Sequence, residues 1–187
     1  FEETARLVLM VLLLKGFHRW VDGVAFGLGH GGLEAVLLVG VGQVGTLALA
    51  VLINSGSWES VAATMPTAAA DSLYTQLVDT SAWMFLLAGL ERVFAKVLHI
   101  GCSLIILWGV HRGRRLLAWV AAVALHGMTN WLAVLTMARF SAVAAEVVLG
   151  VIAVLIVAGA LRVRGAFPSS SPGSVPPGAG TAQGHTS

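Results

Sequence analysis

A histidine and a glutamate four residues apart, His30 and Glu34, lie within a long apolar stretch of this sequence. On a helix, two residues with this spacing share one face. Ionisable groups at membrane depth are costly, and they usually face a bundle interior or a water-filled cavity. The pair is therefore expected to belong to a buried polar site. Gly23, Gly27 and Gly31 repeat with the same spacing and would allow another helix to approach closely.

The composition is that of a membrane protein. Of the 187 residues, 57% are hydrophobic and 11% are charged, whereas soluble domains contain about 25% charged residues. The formal net charge is only +2, and the basic residues lie between apolar segments. This pattern indicates topology signals and argues against nucleic-acid binding. Cys102 is the single cysteine, so no intrachain disulfide can form, and a buried structural thiol is expected.

The apolar segments predict an all-α, polytopic transmembrane helix bundle with about five membrane segments. These segments cover residues 4–14, 24–53, 82–110, 116–138 and 141–161. The first apolar run ends near Leu14 and would extend about 21 Å as a helix, less than the roughly 30 Å of the hydrocarbon core. We therefore expect the sequence to be the C-terminal part of a longer protein, with its first helix cut.

The segments between the helices indicate topology. Residues 54–80 contain no Lys or Arg, and their weak amphipathic pattern predicts one or two interfacial helices. With five crossings, seven basic residues fall on the opposite side: Lys15, Arg19, Arg112, Arg114, Arg115, Arg162 and Arg164. The positive-inside rule places these residues in the cytoplasm and the 54–80 loop outside. Residues 1–165 are predicted to form the membrane domain, and the Pro/Ser/Gly-rich residues 166–187 a disordered cytoplasmic tail.

Polar residues on four predicted helices fall at a similar depth. Counting about 1.5 Å per residue from the cytoplasmic ends places six of them about 12–20 Å deep: Glu2, Glu3, His30, Glu34, His99 and His126. Asn130 lies one turn beyond His126. The four helices are therefore predicted to converge on one polar site below the membrane midplane.

Most of these residues also have a purely structural explanation. Glu2 and Arg6 would form an i,i+4 ion pair that only holds the helix. Glu91 and Arg92 adjoin and point in different directions, so each needs a partner from elsewhere, as in a structural clamp. Lys96 would extend towards the interface or pair with Glu91. A single intramembrane histidine more often bonds another helix, but three at one depth with two carboxylates favour a functional site.

The order of these motifs resembles a known superfamily. Glu2-Glu3-x-x-Arg6, Phe26-x-x-x-His30 and His126-x-x-x-Asn130 resemble the CAAX prenyl proteases and bacteriocin-processing enzymes. Within that superfamily, Gly29-His30-Gly31-Gly32-Leu33-Glu34-Ala35, with Glu91-Arg92 through His99, resembles the YhfC family of intramembrane metalloproteases. The superfamily pattern has three residues between its glutamate pair and the arginine, where this chain has two.

The resemblance implies hydrolysis of a peptide bond in a membrane protein or peptide, within the bilayer. Glu2 would act as general base on a water that His30 also holds, and His126 and Asn130 would bind the oxyanion. Glu34 would instead be the base, or would fix the tautomer of His30. Further site residues carried over from the motifs are Glu3 and Arg6, with Glu91 and Arg92 in support.

The sequence leaves metal dependence and activity open. His30, His99 and His126 would supply three nitrogen ligands with water as the fourth, as catalytic zinc prefers, but no H-E-x-x-H motif is present. The expected location is the bacterial plasma membrane. One alternative is a non-catalytic membrane scaffold, as the anterior-pharynx-defective subunit of gamma-secretase is in the wider group. The other is a proton-coupled transporter, against which the lack of an internal repeat argues.

Overall fold

Seven helices make up the part of the chain that the computed structural model describes, residues 1–169. They are α1 (Glu2–Leu12), α2 (Trp20–Asn54), α3 (Trp58–Ala62), α4 (Thr67–Asp79), α5 (Ala82–His111), α6 (Arg115–Arg139) and α7 (Ala142–Arg162), followed by a 3-10 turn at Arg164–Ala166. No strand occurs within these residues. The all-α, polytopic prediction is therefore confirmed.

Four of the helices are long and apolar enough to cross a bilayer: α2, α5, α6 and α7. Their ends agree with the predicted segments to within a few residues. The predicted first segment is also a helix, but α1 has 11 residues and so extends about 16 Å, less than the hydrocarbon core. The described residues thus contain four helices of spanning length, and α1, the first predicted membrane segment, is shorter than a full crossing.

Helix α2 changes its winding immediately after Glu34. Its α-helical halves, Trp20–Glu34 and Val41–Asn54, are joined by a π-helical turn at Ala35–Gly40. Single π turns inside α-helices are found often at functional sites. The first half packs against α5, whereas no residue of Ala35–Gly40 or Val41–Asn54 is buried. The sequence pattern did not predict this turn.

Helix α5 lies at the centre of the bundle and packs against α1, α2, α6 and α7. Nine of its residues are buried, all between Leu98 and Gly109. Several of these are small, among them Gly101, Cys102 and Ser103, and small residues allow neighbouring helices to approach closely. The half of α5 that carries His99 is therefore enclosed by the other helices.

Glycines form the contact between α2 and α5, as the repeat of three predicted. Gly23, Gly27 and Gly31 are all buried. A Cβ atom on Gly27 would lie 2.5 Å from the Cα atom of Ile100, and one on Gly31 would lie 2.8 Å from Cδ2 of His99. These glycines bring the backbone of α2 against α5, which places His30 and Glu34 beside His99.

Two helix ends are closed by glycines in the left-handed conformation. At Gly113, with φ of 70°, the amide of Arg114 donates to the carbonyl of Gly109 and the amide of Gly113 donates to that of Val110. This is the Schellman pattern, and Gly56 ends α2 in the same way. The turn at Gly113 folds α6 back along α5.

The basic segments meet at one end of the bundle, as the predicted topology requires. The indole Nε1 of Trp20 donates to the carbonyl of Ala160 over 2.9 Å, which joins the start of α2 to the end of α7. The rings of His18 and His111 lie 5.6 Å apart. The polar segments before α2, between α5 and α6, and after α7 therefore share one end, and the assignment of that end to the cytoplasm stays a prediction.

The remaining loop predictions have mixed outcomes. The 54–80 segment contains the two short helices α3 and α4, whose Trp58 and Tyr74 rings lie 5.5 Å apart. Phe167 is only 8% exposed and packs in the core cluster, so the packed part of the chain extends past the predicted boundary at residue 165. Residues 170–187 lie outside the described residues, and the disordered tail stays a prediction.

Candidate active site

Side chains from four helices meet around one carboxylate oxygen, Oε2 of Glu2 on α1. It lies 3.8 Å from Nε2 of His30 on α2, 4.0 Å from Nδ1 of His99 on α5 and 3.8 Å from Nδ1 of His126 on α6. The His30 and His126 rings each lie about 5 Å from the His99 ring, at 5.0 and 5.3 Å between centroids. The structure thus brings the three predicted histidines together at one carboxylate.

Arg6 is the buried hub of this cluster. A guanidinium has five N–H donors, and in Arg6, which is 0% exposed, all five have acceptors. Nε and Nη2 donate to the Glu3 carboxylate over 3.0 and 3.3 Å. Nη2 also donates to Nδ1 of His99 over 2.9 Å, and Nη1 donates to the His99 carbonyl over 3.0 Å and to the Ser103 hydroxyl. Arg6 therefore ties α1 to α5.

Arg6 does not form the ion pair with Glu2 that the sequence suggested as a purely structural role for both residues. Its partner on α1 is Glu3 at i,i+3 and not Glu2 at i,i+4. The choice leaves Glu2 free to face the histidines, because Arg6 and Glu3 satisfy each other in the buried interior. Glu3 in turn accepts a hydrogen bond from Nδ1 of His126 over 2.8 Å, so it orients that ring.

The contacts of Glu34 also differ from the expectation that it fixes His30. Oε2 of Glu34 is 2.6 Å from Nε2 of His99, and Oε1 is 3.6 Å from Nη1 of Arg92. The 2.6 Å contact is short but lies off the ideal hydrogen-bond direction, since this oxygen is buried without a formed hydrogen bond. Glu34 is therefore a partner of His99 and Arg92.

Glu91 and Arg92 contact each other. Nε of Arg92 donates to Oε2 of Glu91 over 3.2 Å, and Nη2 donates to Oε1. The expectation that these neighbours point in different directions is wrong, because the long arginine side chain folds back onto the preceding carboxylate. Glu91 thus pairs with Arg92 rather than with Lys96, and Arg92 links Glu91 to Glu34.

A cavity of about 510 Å³ opens onto the cluster. Its polar floor includes Glu2, Glu34, His99, His126 and Asn130. Its walls are mostly apolar residues of α5, α6 and α7: Met84, Leu87, Ala133, Val134, Met137 and Leu149. Met84 and Met137 lie near the helix ends opposite the basic end, so the cavity extends from the polar cluster towards that opposite end.

Two polar residues at or near the site were not among the predicted site residues. Ser103 lies one turn after His99 and donates to the His99 carbonyl over 2.7 Å; its i,i+4 spacing from a histidine in an apolar run was the available signal. Glu146 on α7 lines the cavity, and its Oε2 is buried without a hydrogen-bond partner. Its position in an otherwise apolar helix was a signal of the same kind.

Donor atoms of the kind that bind divalent metal ions lie close together in this cluster. One ligand atom from each of Glu2, His30, Glu34 and His99 lies within 4.8 Å of the others. When two ligand atoms each lie about 2.0–2.1 Å from a tetrahedral zinc ion, they are about 3.3 Å from each other. Oε2 of Glu2 and Nε2 of His30 are 3.8 Å apart, so only a small movement would bring both into zinc coordination. The buried oxygen Oε2 of Glu2 has no hydrogen-bond partner among the described residues, as expected of an atom that binds an ion or water.

Comparisons with known proteins give the same family as the motifs. A family model described as YhfC intramembrane metalloprotease matches residues 1–153. Over 170 residues the chain is 35% identical to a Bacillus subtilis (strain 168) protein described as uncharacterized membrane protein YhfC. This match covers 89% of the chain and 66% of the relative, so the chain spans just under two thirds of that protein's length. No solved structure was found to match. The chain belongs to the YhfC intramembrane metalloprotease family.

Proposed function

We propose that this chain carries the active site of an intramembrane peptidase, which hydrolyses a peptide bond of a membrane protein or membrane-associated peptide. The observation that carries the proposal is the unsatisfied Oε2 of Glu2, which faces Nε2 of His30 at 3.8 Å. That gap is too long for a direct hydrogen bond and suits a water that both groups hold. Glu2 takes a proton from this water as it attacks the scissile carbonyl carbon. The same carboxyl then gives the proton to the leaving amine as the C–N bond breaks.

His126 has two possible uses that exclude each other. Its Nδ1–H is committed to Glu3, so the ring acts on substrate or metal through Nε2. As an oxyanion donor, Nε2 must carry a proton, and Glu3 stabilises the resulting imidazolium as the buried carboxylate of a catalytic triad does. As a metal ligand, Nε2 must use its lone pair instead. Asn130, which lines the same cavity, supplies an amide donor to the oxyanion in either case.

The metal named in the family description is accommodated by groups of this cluster. Glu2, His30 and Glu34 are the groups that would hold it, and it would supply Lewis-acid polarisation and an activated water. The chain's own residues keep the rest of the site in place. Arg6 fixes Glu3, Glu3 orients His126, and the packing of α2 against α5 holds His30 beside His99.

The cavity supports a peptide as substrate. Its volume of about 510 Å³ is within the range of about 300–1,000 Å³ typical of ligand sites. The apolar walls suit the side chains of a membrane segment, and the polar floor suits one unwound peptide bond. We place the enzyme in the bacterial plasma membrane with its basic end in the cytoplasm, so the cavity extends from the cluster towards the outer side.

Cleavage of a membrane peptide by the purified protein in liposomes tests the proposal. We expect Glu2→Gln, His30→Ala and His126→Ala each to abolish cleavage, and the His30/His126 double variant to be scarcely worse, because residues that act as a unit do not lose activity additively. Asn130→Ala should lower kcat by about 10²–10³-fold, as loss of one oxyanion donor does.

Two loop histidines provide controls for this assay. His18 and His111 lie at the basic end, outside the cluster, and their alanine variants should cleave as wild type. Normal turnover by His30→Ala would refute the proposed site. Absence of cleavage by the wild type, with every variant folded and inserted, would favour the non-catalytic scaffold.

A further inference from the structure

His99 lies between a guanidinium and a carboxylate. Nη2 of Arg6 is 2.9 Å from Nδ1 of His99. A guanidinium only donates hydrogen bonds, so Nδ1 must accept with its lone pair, and the ring proton must lie on Nε2. An imidazolium is excluded in this arrangement, because its Nδ1–H would face an N–H of Arg6.

The other side of the ring faces Glu34. Nε2 of His99 is 2.6 Å from Oε2 of Glu34, although that oxygen lies off the N–H direction and accepts no hydrogen bond. Two ligands of one tetrahedral zinc ion stand about 3.3 Å apart, so these two atoms are too close to be separate ligands. The Nε2–H that follows from the Arg6 contact nevertheless occupies the nitrogen beside Glu34, so neither ring nitrogen of His99 offers a lone pair to a metal.

The other two histidines differ from His99 in what they leave available. His126 donates Nδ1–H to Glu3 and keeps a lone pair at Nε2. His30 has no hydrogen bond to the described residues, and its Nε2 faces Glu2. Of the three histidines, only His99 has Nδ1 bonded by Arg6 and Nε2 in close contact with a carboxylate, and the residue is only 2% exposed.

We infer that His99 is a positioning residue and not a metal ligand: it connects Arg6 to Glu34 and holds that carboxylate at the cavity floor. Any metal at this site therefore has at most two histidine ligands, His30 and His126. The inference takes the presence of a metal from the proposed function. The geometric argument uses only the contacts of His99. The inference replaces the symmetric set of three histidines that the sequence suggested.

Zinc stoichiometry of the purified protein tests the inference without reference to activity. We expect one zinc per wild-type chain and one per chain in His99→Gln, with affinity reduced by no more than the 10–100-fold typical of an outer partner. His30→Ala and the matched variant His30→Gln should lose stoichiometric zinc. Loss of zinc from His99→Gln equal to that from His30→Ala would overturn the inference.

Side-chain ¹⁵N NMR of histidine-labelled protein provides a second readout. The signals of His99, assigned by their absence in His99→Gln, should show protonated Nε2 and unprotonated Nδ1 both before and after zinc is added. A protonated Nδ1, or a zinc-induced shift typical of a bound nitrogen, would overturn the inference. If the wild type binds no zinc, the metal part of the proposed function fails, while this spectrum still decides the role of His99.

Discussion

A single methyl group at Gly27 should separate two helices that the site needs in contact. An ideal Cβ atom there lies 2.5 Å from the Cα atom of Ile100 and 2.8 Å from the carbonyl oxygen of His99. Carbon atoms pack at about 3.5–4.0 Å, so Gly27→Ala requires α2 and α5 to move apart by about 1.0–1.5 Å. Both obstructing atoms belong to the backbone and cannot rotate away.

Two energetic effects of Gly27→Ala oppose each other. Alanine favours a helix over glycine by about 1 kcal/mol, whereas overpacking costs about 1–3 kcal/mol. Gly29→Ala is the control for overpacking, because a Cβ atom at Gly29 meets nothing within 4 Å. This variant therefore gains helix propensity without an added clash. We expect Gly29→Ala to be neutral or stabilising, and Gly27→Ala to unfold about 2–12 °C below it, at about 2–4 °C per kcal/mol for a chain of this size.

The displacement should affect activity more than stability. The obstructed backbone is that of His99 itself, so the movement withdraws His30 and Glu34 from His99. A misplacement of about 1 Å at a catalytic site is able to cost about 100-fold in rate. The measurements are peptide cleavage in liposomes and thermal unfolding in detergent for Gly27→Ala and Gly29→Ala side by side. Equal stability and equal cleavage by the two variants would refute the close contact of α2 with α5.

Three further predictions follow from individual contacts. Arg6→Met should destabilise the fold by about 3–5 kcal/mol, because Glu3 is left buried and unpaired. Thermal unfolding should show that adding Glu3→Gln to this variant restores part of the lost stability. If the double variant is no more stable than Arg6→Met, the pairing is refuted. A cysteine at Ser57 should react with a membrane-impermeant thiol reagent added outside the cell, whereas a cysteine at Arg112 should not. The native Cys102 is buried and should not react. The reverse labelling pattern would invert the assigned sides. A chain that ends at residue 169 should unfold at the same temperature as the full chain. A chain that ends at residue 165 lacks the buried Phe167 ring, and its free energy of unfolding should be lower by about 1.5–3 kcal/mol. Equal stability of the two truncated chains would show that this ring contributes nothing.

The helices and their faces could be predicted from the sequence because they depend on local properties. Long apolar runs define α2, α5, α6 and α7, and the predicted ends differ from the observed ends by only a few residues. The glycine repeat of α2 lies on one face by helical geometry alone, which is why its role in packing could be foreseen. Counting residues along each helix also placed the ionisable groups in one layer, since the rise per residue is fixed.

The pairing within that layer depended on tertiary structure. Glu2 and Glu3 are equally able to reach Arg6 by sequence spacing, since i,i+3 and i,i+4 neighbours are both close on a helix. Which one faces Arg6 is set by the rotation of α1 against α5, and this rotation depends on packing over its whole length. The same holds for Glu34, which shares a face with His30 but meets His99 because the glycines bring α5 so close.

The sequence by itself therefore determined which groups lie at a similar height along their helices, because apolar length and helical rise are local properties. Only the tertiary structure decided which ring nitrogens of His99 and His126 are hydrogen-bonded, and to which partners. That assignment depends on Arg6, whose five donors are shared among Glu3, His99 and Ser103 on two helices. A hydrogen-bond network of this kind is a property of several chain segments at once, and no single segment encodes it.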